Sequence, residues 1–481
     1  MNAPPDAPPA THRALTTAAL LLLMSLSAME ATVVSTAMPT VIAELGGVSL
    51  YGWVAAAYFL AVTVATPIYG KLADSLGRKP VALFSVALFL LGSFVSGLAG
   101  SISVLIAARA VQGLGAGGLQ PVTLTIVGDL YTLEERGKVQ GLFSGVWAAS
   151  GIAGPLLGGW IVHEASWRWV FWVNVPIGLL GTAVLLRAYH ERREGAGRPA
   201  LDVAGATLFA TATLALLLAV NGTAAGPMLL ASALGFAAFV RVESRAHDPM
   251  LPIALLRERV IAVTSVSGLL LGAAMMAALL MLPLYAQGVL MRSPTEAGTS
   301  VAPMLIGWPL AAMVTSRMLS RVGVRPPVLA GSALIALSLT VLALTLSPRA
   351  RIGTIQAWMF LYGLGMGLAS TATLLAVQAS VPWSRRGVAT STNLFARSIG
   401  GALGTGGLGA LLAHRLEGRV PAGMIRALLD VHHRHDHGMR HAARGLAHAM
   451  HPIFTVLAVL AVLNLAVVTM VPAKLHRATE A

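Results

Sequence analysis

Long apolar runs recur along this chain, and they limit its fold more than any other feature. They fall at about residues 14–38, 51–70, 80–99, 103–128, 139–162, 169–187, 203–220, 226–241, 260–286, 298–319, 327–347, 354–381, 388–412 and 453–471. A helix that crosses the hydrocarbon core needs ~20 apolar residues, so the pattern predicts an all-α polytopic membrane protein with fourteen transmembrane helices. Composition agrees. Of 481 residues, 56% are hydrophobic and 11% are charged, where a soluble domain carries about 25% charged residues. A soluble enzyme, a disulfide scaffold and a disordered chain are thereby excluded. The chain has no cysteine, which removes thiolate metal sites and cysteine nucleophiles. The first run is longer than the roughly 7–15-residue core of a signal peptide and has only Arg13 before it, so it reads as a retained helix. The runs at 203–220 and 226–241 are the weakest. They read as a hairpin beside the bundle or as one longer helix.

Charge sets the orientation. With both termini inside, the inner segments hold twenty-one Lys and Arg, and the short outer loops hold only Arg168, Arg292, Arg349 and Arg351. That bias is the positive-inside pattern, so most of the net charge of +14 is an orientation signal and not a nucleic-acid patch. A faint repeat relates the loop Gly70-Lys-Leu-Ala-Asp74-Ser-Leu-Gly77-Arg78-Lys79 to Ser316-Arg-Met-Leu-Ser320-Arg-Val-Gly323-Val-Arg325. Such repeats are common in transporters. The expected division is a disordered tail at 1–13, a six-helix bundle at 14–190, two additional helices at 200–241 and a second six-helix bundle at 255–472. The last contains a His-rich external loop at 413–452.

Charged residues at membrane depth are costly and carry function by default. Glu30 is the one carboxylate placed deep within a run, and Arg109 and Arg397 are the two arginines within runs. A carboxylate there must be neutral or paired, and one that exchanges its proton is what proton coupling needs. In Arg109-Ala-Val-Gln112-Gly113-Leu-Gly115-Ala-Gly117-Gly118 the glycines fit a dinucleotide fingerprint, but no βαβ unit surrounds them, so they read as a packing face. Pro155 removes a backbone donor from the fifth run, and Gly154 and Gly158 offer a close-packing groove. Gln120, Asn393, Tyr58, Trp147 and Trp308 are candidate cavity residues. The histidines at 432, 433, 435, 437, 441, 448 and 451 match no metal-site spacing and read as a solvated surface helix, so no metal is expected.

Several of these motifs carry a family resemblance. Gly70-x-Leu72-Ala73-Asp74-x-x-Gly77-Arg78-Lys79 resembles the signature loop of the major facilitator superfamily, and Arg109-x-x-Gln112-Gly113 resembles its fourth-helix motif. Gly154-Pro155-x-x-Gly158-Gly159 resembles its exporter helix motif, with Ser150 where a glycine is usual. Met29-Glu30-Ala-Thr32-Val33-Val34 resembles the first-helix motif of the fourteen-helix drug:proton antiporter branch, with Glu in place of the usual Asp. Trp167-Arg168-Trp169-Val-Phe171-Trp172-Val-Asn174, Asp202-Val-Ala-Gly205 and Arg386-Gly387-Val-Ala389…Asn393…Arg397 point to the same branch.

The resemblance implies a major facilitator fold: two six-helix bundles plus two inserted helices. It implies a multidrug-efflux secondary transporter that exports lipophilic or amphipathic compounds in exchange for protons. Glu30 and Arg109 would serve coupling, while Gly70, Asp74, Gly77, Arg78 and Lys79 would latch the cytoplasmic gate. Gln112, Gln120, Tyr58, Trp147, Trp308, Asn393 and Arg397 would be open to substrate. No cofactor is implied beyond the proton gradient. The partners are a small lipophilic substrate, protons and lipid; the chain is expected to be a monomer in the cell (plasma or inner) membrane and no enzyme. An importer or facilitator of a metabolite or siderophore is the alternative on the same fold, and the motif around Pro155 argues against it.

Overall fold

The computed structural model describes residues 11–45, 50–191, 202–220, 224–246, 249, 253–292, 294–416 and 437–472. Residues 1–10 of the predicted tail at 1–13, the loop residues 417–436 and with them the histidines at 432, 433 and 435 lie outside the described residues, while Arg13 already belongs to the first helix. All regular structure among the described residues is helical. The first bundle contains α1 (Arg13–Leu45), α2 (Tyr51–Leu76), α3 (Arg78–Gly97), α4 (Ile102–Leu130), α5 (Leu133–Glu164), α6 (Trp169–Trp172) and α7 (Asn174–Ala188). Then come α8 (Val203–Val220) and α9 (Ala225–Glu243), followed by the short α10 (Ile253–Arg257). The second bundle contains α11 (Arg259–Gly288), the short α12 (Pro294–Gly298), α13 (Ala302–Val322), α14 (Arg325–Thr345), α15 (Ile352–Ala379), α16 (Arg386–Leu416) and α17 (His437–Val468).

Each of the fourteen apolar runs falls on a helix. Among the described residues, eleven helices are long and apolar enough to cross a membrane. α5 and α16 are longer still but glycine-rich, and α8 is an apolar helix of fewer residues. Two runs differ from expectation. The sixth is broken at Val173 into α6 and α7. α16 runs to Leu416 and the last helix starts at His437, so residues 413–416 and 437–452 of the predicted external loop are helical. The reason is visible in the packing of the last helix: Ala443, Leu446, Ala449, Met450 and Ile453 are buried on one face at helical spacing, against the core of the second bundle. A polar opposite face dilutes that signal in an averaged hydropathy window.

Packing repeats between the halves. α4 lies against α2 and α3, and α1 against α5 and α7; correspondingly α15 lies against α13 and α14, and α11 against α16 and α17. The bundles meet along two seams, α2 with α16 and α5 with α13, which exchange under the same correspondence. The turns after α2 and α13 also correspond. Gly77 (φ 98°) and Gly323 (φ 75°) both adopt positive φ, a region glycine enters without a Cβ penalty. α8 and α9 form a hairpin beside the bundles, with α8 resting on α2 and α16. Between α2 and α8 lies a cavity of about 340 Å³ lined by Ile68, Lys71, Asp202, Ala206 and Thr211, among others.

The helix starts follow local chemistry. Ser101 caps α4 by accepting from Val104 N. Thr132 and Glu135 form a reciprocal capping box at α5. The far end of α1, beyond its apolar run, is clasped to the α5–α6 turn: Glu44 Oε2 accepts from Trp167 Nε1 at 2.7 Å, and Oε1 pairs with Arg168 Nη1 at 2.7 Å. These donors hold the Glu44 carboxyl below its ordinary value of 4.5. A carboxylate lowered on folding stabilises the fold above that ordinary value and loses the effect as pH falls through the lowered one. Glu44→Gln is therefore expected to lower the apparent melting temperature slightly at neutral pH, as exposed pairs do. The difference from the parent should close as the pH is taken below about 4.5. A difference that stays constant down the acid range would contradict this account.

Candidate functional site

Two polar clusters stand out in the apolar bundles. The first lies within the first bundle, where α1, α2, α3, α4 and α7 converge. Glu30 of α1 is 2% exposed and Arg109 of α4 is 2% exposed. Arg109 sits seven residues into α4, about 10 Å along its axis at 1.5 Å per residue. Its Nη1 forms an ion pair with Glu30 Oε1 and also donates to Gln112 Oε1 at 2.7 Å. The other Glu30 oxygen accepts from Asn174 Nδ2 at 2.8 Å. Ser93 Oγ accepts from Gln112 Nε2 at 3.2 Å and from Asn174 Nδ2 at 3.0 Å, and donates to the Phe171 carbonyl at 2.8 Å. The guanidinium carbon lies 4.3 Å from the Tyr58 ring centroid. Both carboxylate oxygens are thus engaged, and the charge has an aromatic face beside it. That is the arrangement a buried charge requires.

The glycines around Arg109 bring the backbones close enough for this. A Cβ on Gly113 or Gly117 would strike α2 at Tyr58 or Val62, and one on Gly115 would strike α3 at Phe89. α4 is therefore wedged between α2 and α3, as a small-residue face permits.

The second cluster closes the arginine-rich end between the bundles. Asp74, in the last turn of α2, accepts from the backbone N–H of Gly387 at 3.0 Å and of Val388 at 2.8 Å. These are unsatisfied donors in the first turn of α16, where a negative charge is favoured. Arg78 joins Asp74 at 3.0 Å and Asp129 at 3.1 Å. It also donates to the Trp383 carbonyl at 2.9 Å and stacks over the Trp383 ring at 3.8 Å. Asp129 pairs in turn with Arg386 at 3.3 Å. Gln378 Nε2 donates to the Leu124 carbonyl at 3.1 Å. Gly70 leaves room for Ser391 and Gly387, which a Cβ there would displace.

Other predicted site residues lie elsewhere. Lys79 takes no part in the closure. Its Nζ donates to the carbonyls of Leu186 and Tyr189 at the end of α7, a contact internal to the first bundle. Gly77 forms the positive-φ turn, and Glu191 caps the following helix through the backbone N–H groups of Arg78 and Lys79. Gly154 and Gly158 are buried and Gly159 is exposed, while the side chain of Pro155 lies outside what is described. Gln120 and Trp308 are half-buried, and Trp147 is exposed. Asn393 Nδ2 donates to the Thr264 carbonyl at 3.1 Å, tying α16 to α11. Arg397 is half-buried on α16.

Sequence reasoning assigned no site role to Ser93 or Asn174 in the first cluster, nor to Asp129, Trp383, Arg386 or Gln378 in the second, although Asn174 and Arg386 stand within its motifs. Asn174 had a signal: it is the one amide in an otherwise aromatic and aliphatic stretch.

Comparison with known proteins fits this geometry. The family profile described as Major Facilitator Superfamily matches residues 20–405. The chain is 34% identical over 418 residues to the Multidrug transporter protein MdtP of Bacillus subtilis (strain 168), covering 84% of this chain and 76% of that one. It is 34% identical over 394 residues to Multidrug resistance protein 3 of the same organism, covering 80% and 77%. Among solved structures, the human organic anion transporter MFSD10 (TETRAN) superposes with a TM-score of 0.64 at 14% identity, over 94% of this chain and 100% of that one. Two matched bundles, a signature loop between α2 and α3 and this profile make the chain a member of the Major Facilitator Superfamily, a family of multi-span membrane transporters.

Proposed function

We propose that this transporter exports lipophilic or amphipathic drugs and toxic compounds in exchange for protons, by alternating access between the two bundles. It would work as a monomer in the cell membrane, with both termini and the arginine-rich end facing the cytoplasm, as the charge bias suggests. The 34% identity to two multidrug proteins supports the substrate class. The observation that carries the coupling is the Glu30–Arg109 pair. A proton arriving at Glu30 neutralises the only carboxylate partnering Arg109 among the described contacts, leaving a buried cation unpaired. Such a cation is costly, so the protonation state of Glu30 biases how α1, α4 and α7 sit together. In the closed arrangement described above, Asp74, Arg78 and Asp129 would hold the cytoplasmic side shut while the opposite side exchanges with the exterior.

The test is transport in proteoliposomes with an imposed pH gradient and a chemically varied panel of amphipathic compounds. The parent protein is expected to concentrate substrate, and a protonophore to abolish the gradient. Glu30→Gln should reduce gradient-driven transport to the protein-free background. Energised transport that survives this substitution and keeps its protonophore sensitivity would refute the coupling role. Gradients insensitive to a protonophore in the parent itself would favour the facilitator reading.

A further inference from the structure

The two membrane-depth arginines have opposite surroundings. Arg109 has a carboxylate. Arg397 has none among the described residues, and the long helices of its own bundle supply none. From residue 259 to 416 the only acidic residue is Glu296, and residues 437–468 contain none. Glu296 lies in the short α12, outside the long helices, and faces Arg292. In the other bundle the buried acids are committed: Glu30 to Arg109, and Asp74 and Asp129 to Arg78 and Arg386. Among the described residues no ion pair or hydrogen bond engages the Arg397 guanidinium.

Arg397 is eleven residues into α16, about 16 Å along its axis, near the middle of the bundle. Its position on the helix is fixed by its neighbours. The backbone at Arg397 is pressed against α11, where a Cβ on Gly272 would strike its carbonyl. Leu394 clusters with Leu124 of α4 and Leu374 of α15. Phe395 packs on Phe209 of α8 with ring centroids 4.9 Å apart, and Ile399 packs with Leu60 and Leu217. Arg397 therefore leaves α16 between its α11 contact and its Leu394 face, turned away from the α8 hairpin. It keeps partial exposure there. An arginine at this depth is costly unless countered. With Glu30 and Arg109 cancelling each other, it is also, among the described residues, the uncompensated charge at mid-depth.

We infer that Arg397 is the anion-recognising subsite of the translocation path, receiving the carboxylate of an amphipathic substrate. Guanidinium matches carboxylate in shape and forms two parallel hydrogen bonds with it. A substrate carboxylate would supply the countercharge that the second bundle lacks. This inference rests on the export reading for its physiological direction, but binding at Arg397 does not depend on that direction.

The test uses the full chain and three matched compounds on one aromatic scaffold: a tertiary amine, the same amine bearing a carboxylate, and the methyl ester of that carboxylate. Equilibrium binding to the purified protein and transport in proteoliposomes are both measured, for the parent, Arg397→Gln and Arg397→Lys. The expected result is that Arg397→Gln weakens binding of the carboxylate compound roughly tenfold or more and leaves the amine and the ester within about twofold of the parent. Arg397→Lys should retain part of the carboxylate affinity, because it keeps the charge and loses the fork. Equal weakening for all three compounds, or no change for the carboxylate, overturns the inference. If the parent moves none of the compounds but the selective loss of carboxylate binding is seen, the export reading falls and the anion subsite stands.

Discussion

Replacing Arg109 with alanine is expected to destabilise the protein far more than replacing both members of its ion pair. The substitution leaves Glu30, 2% exposed, with the Asn174 amide as a donor and no cation among its described contacts. Breaking one side of a buried pair costs about 3–5 kcal/mol. A detergent-solubilised Arg109→Ala protein should thus unfold at a markedly lower temperature than the parent. Adding Glu30→Gln to it removes the orphaned charge, keeps an amide acceptor for Asn174 and should recover most of the loss. A double variant as unstable as the single one would show that Arg109 acts through its packing on Tyr58 and not through the charge.

The second large effect is expected at the closed end. Asp74 holds two backbone N–H groups of α16 and one side of Arg78. Hydrogen bonds to a charged group are each worth about 1.5–3 kcal/mol, so Asp74→Ala should shift the balance between closed and open arrangements by roughly tenfold or more. The absence of cysteine makes this directly measurable. Ser391 is fully buried in the seam beside Gly70, and Ser391→Cys is a conservative probe. Its reaction with a membrane-permeant maleimide should be slow in the parent background and much faster with Asp74→Ala. Asp74→Asn, which keeps one acceptor oxygen, should fall between. Equal labelling in all three would mean that Arg78 and Asp129 hold the end shut without Asp74.

The helices and the charged residues of the site were legible in the sequence because both rest on local chemistry. An apolar run of membrane length can do little else, and Glu30, Arg109 and Asp74 stand out against an apolar or tightly patterned background. Their partners were not legible. Asp74 meets Gly387, Arg78 meets Trp383 and Glu30 meets Asn174, all across more than a hundred residues of chain; no local pattern encodes such a meeting. Lys79 shows the same limit from the other side. It shares a motif with Arg78, yet one residue of helix turns it about 100° away, to the carbonyl end of α7. The start of α17 was hidden because a half-polar helix averages to a loop, and Pro452 within it reads as a breaker although its helix continues.

The hairpin of α8 and α9 makes the two seams unequal. α8 bears on α2 and on α16 at once, with Leu217 touching Leu60 on one side and Ile399 on the other. No helix from outside the two bundles spans α5 and α13 in the same way among the described residues. A motion that parts α2 from α16 would have to slide one of them along α8, beside the cavity lined by Lys71 and Asp202. The α5–α13 seam can part with no such rider. Whatever symmetry the bundles inherit from their repeat, the hairpin makes the flanks unequal: any parting of α2 from α16 would disturb a third helix, and a parting of α5 from α13 would not.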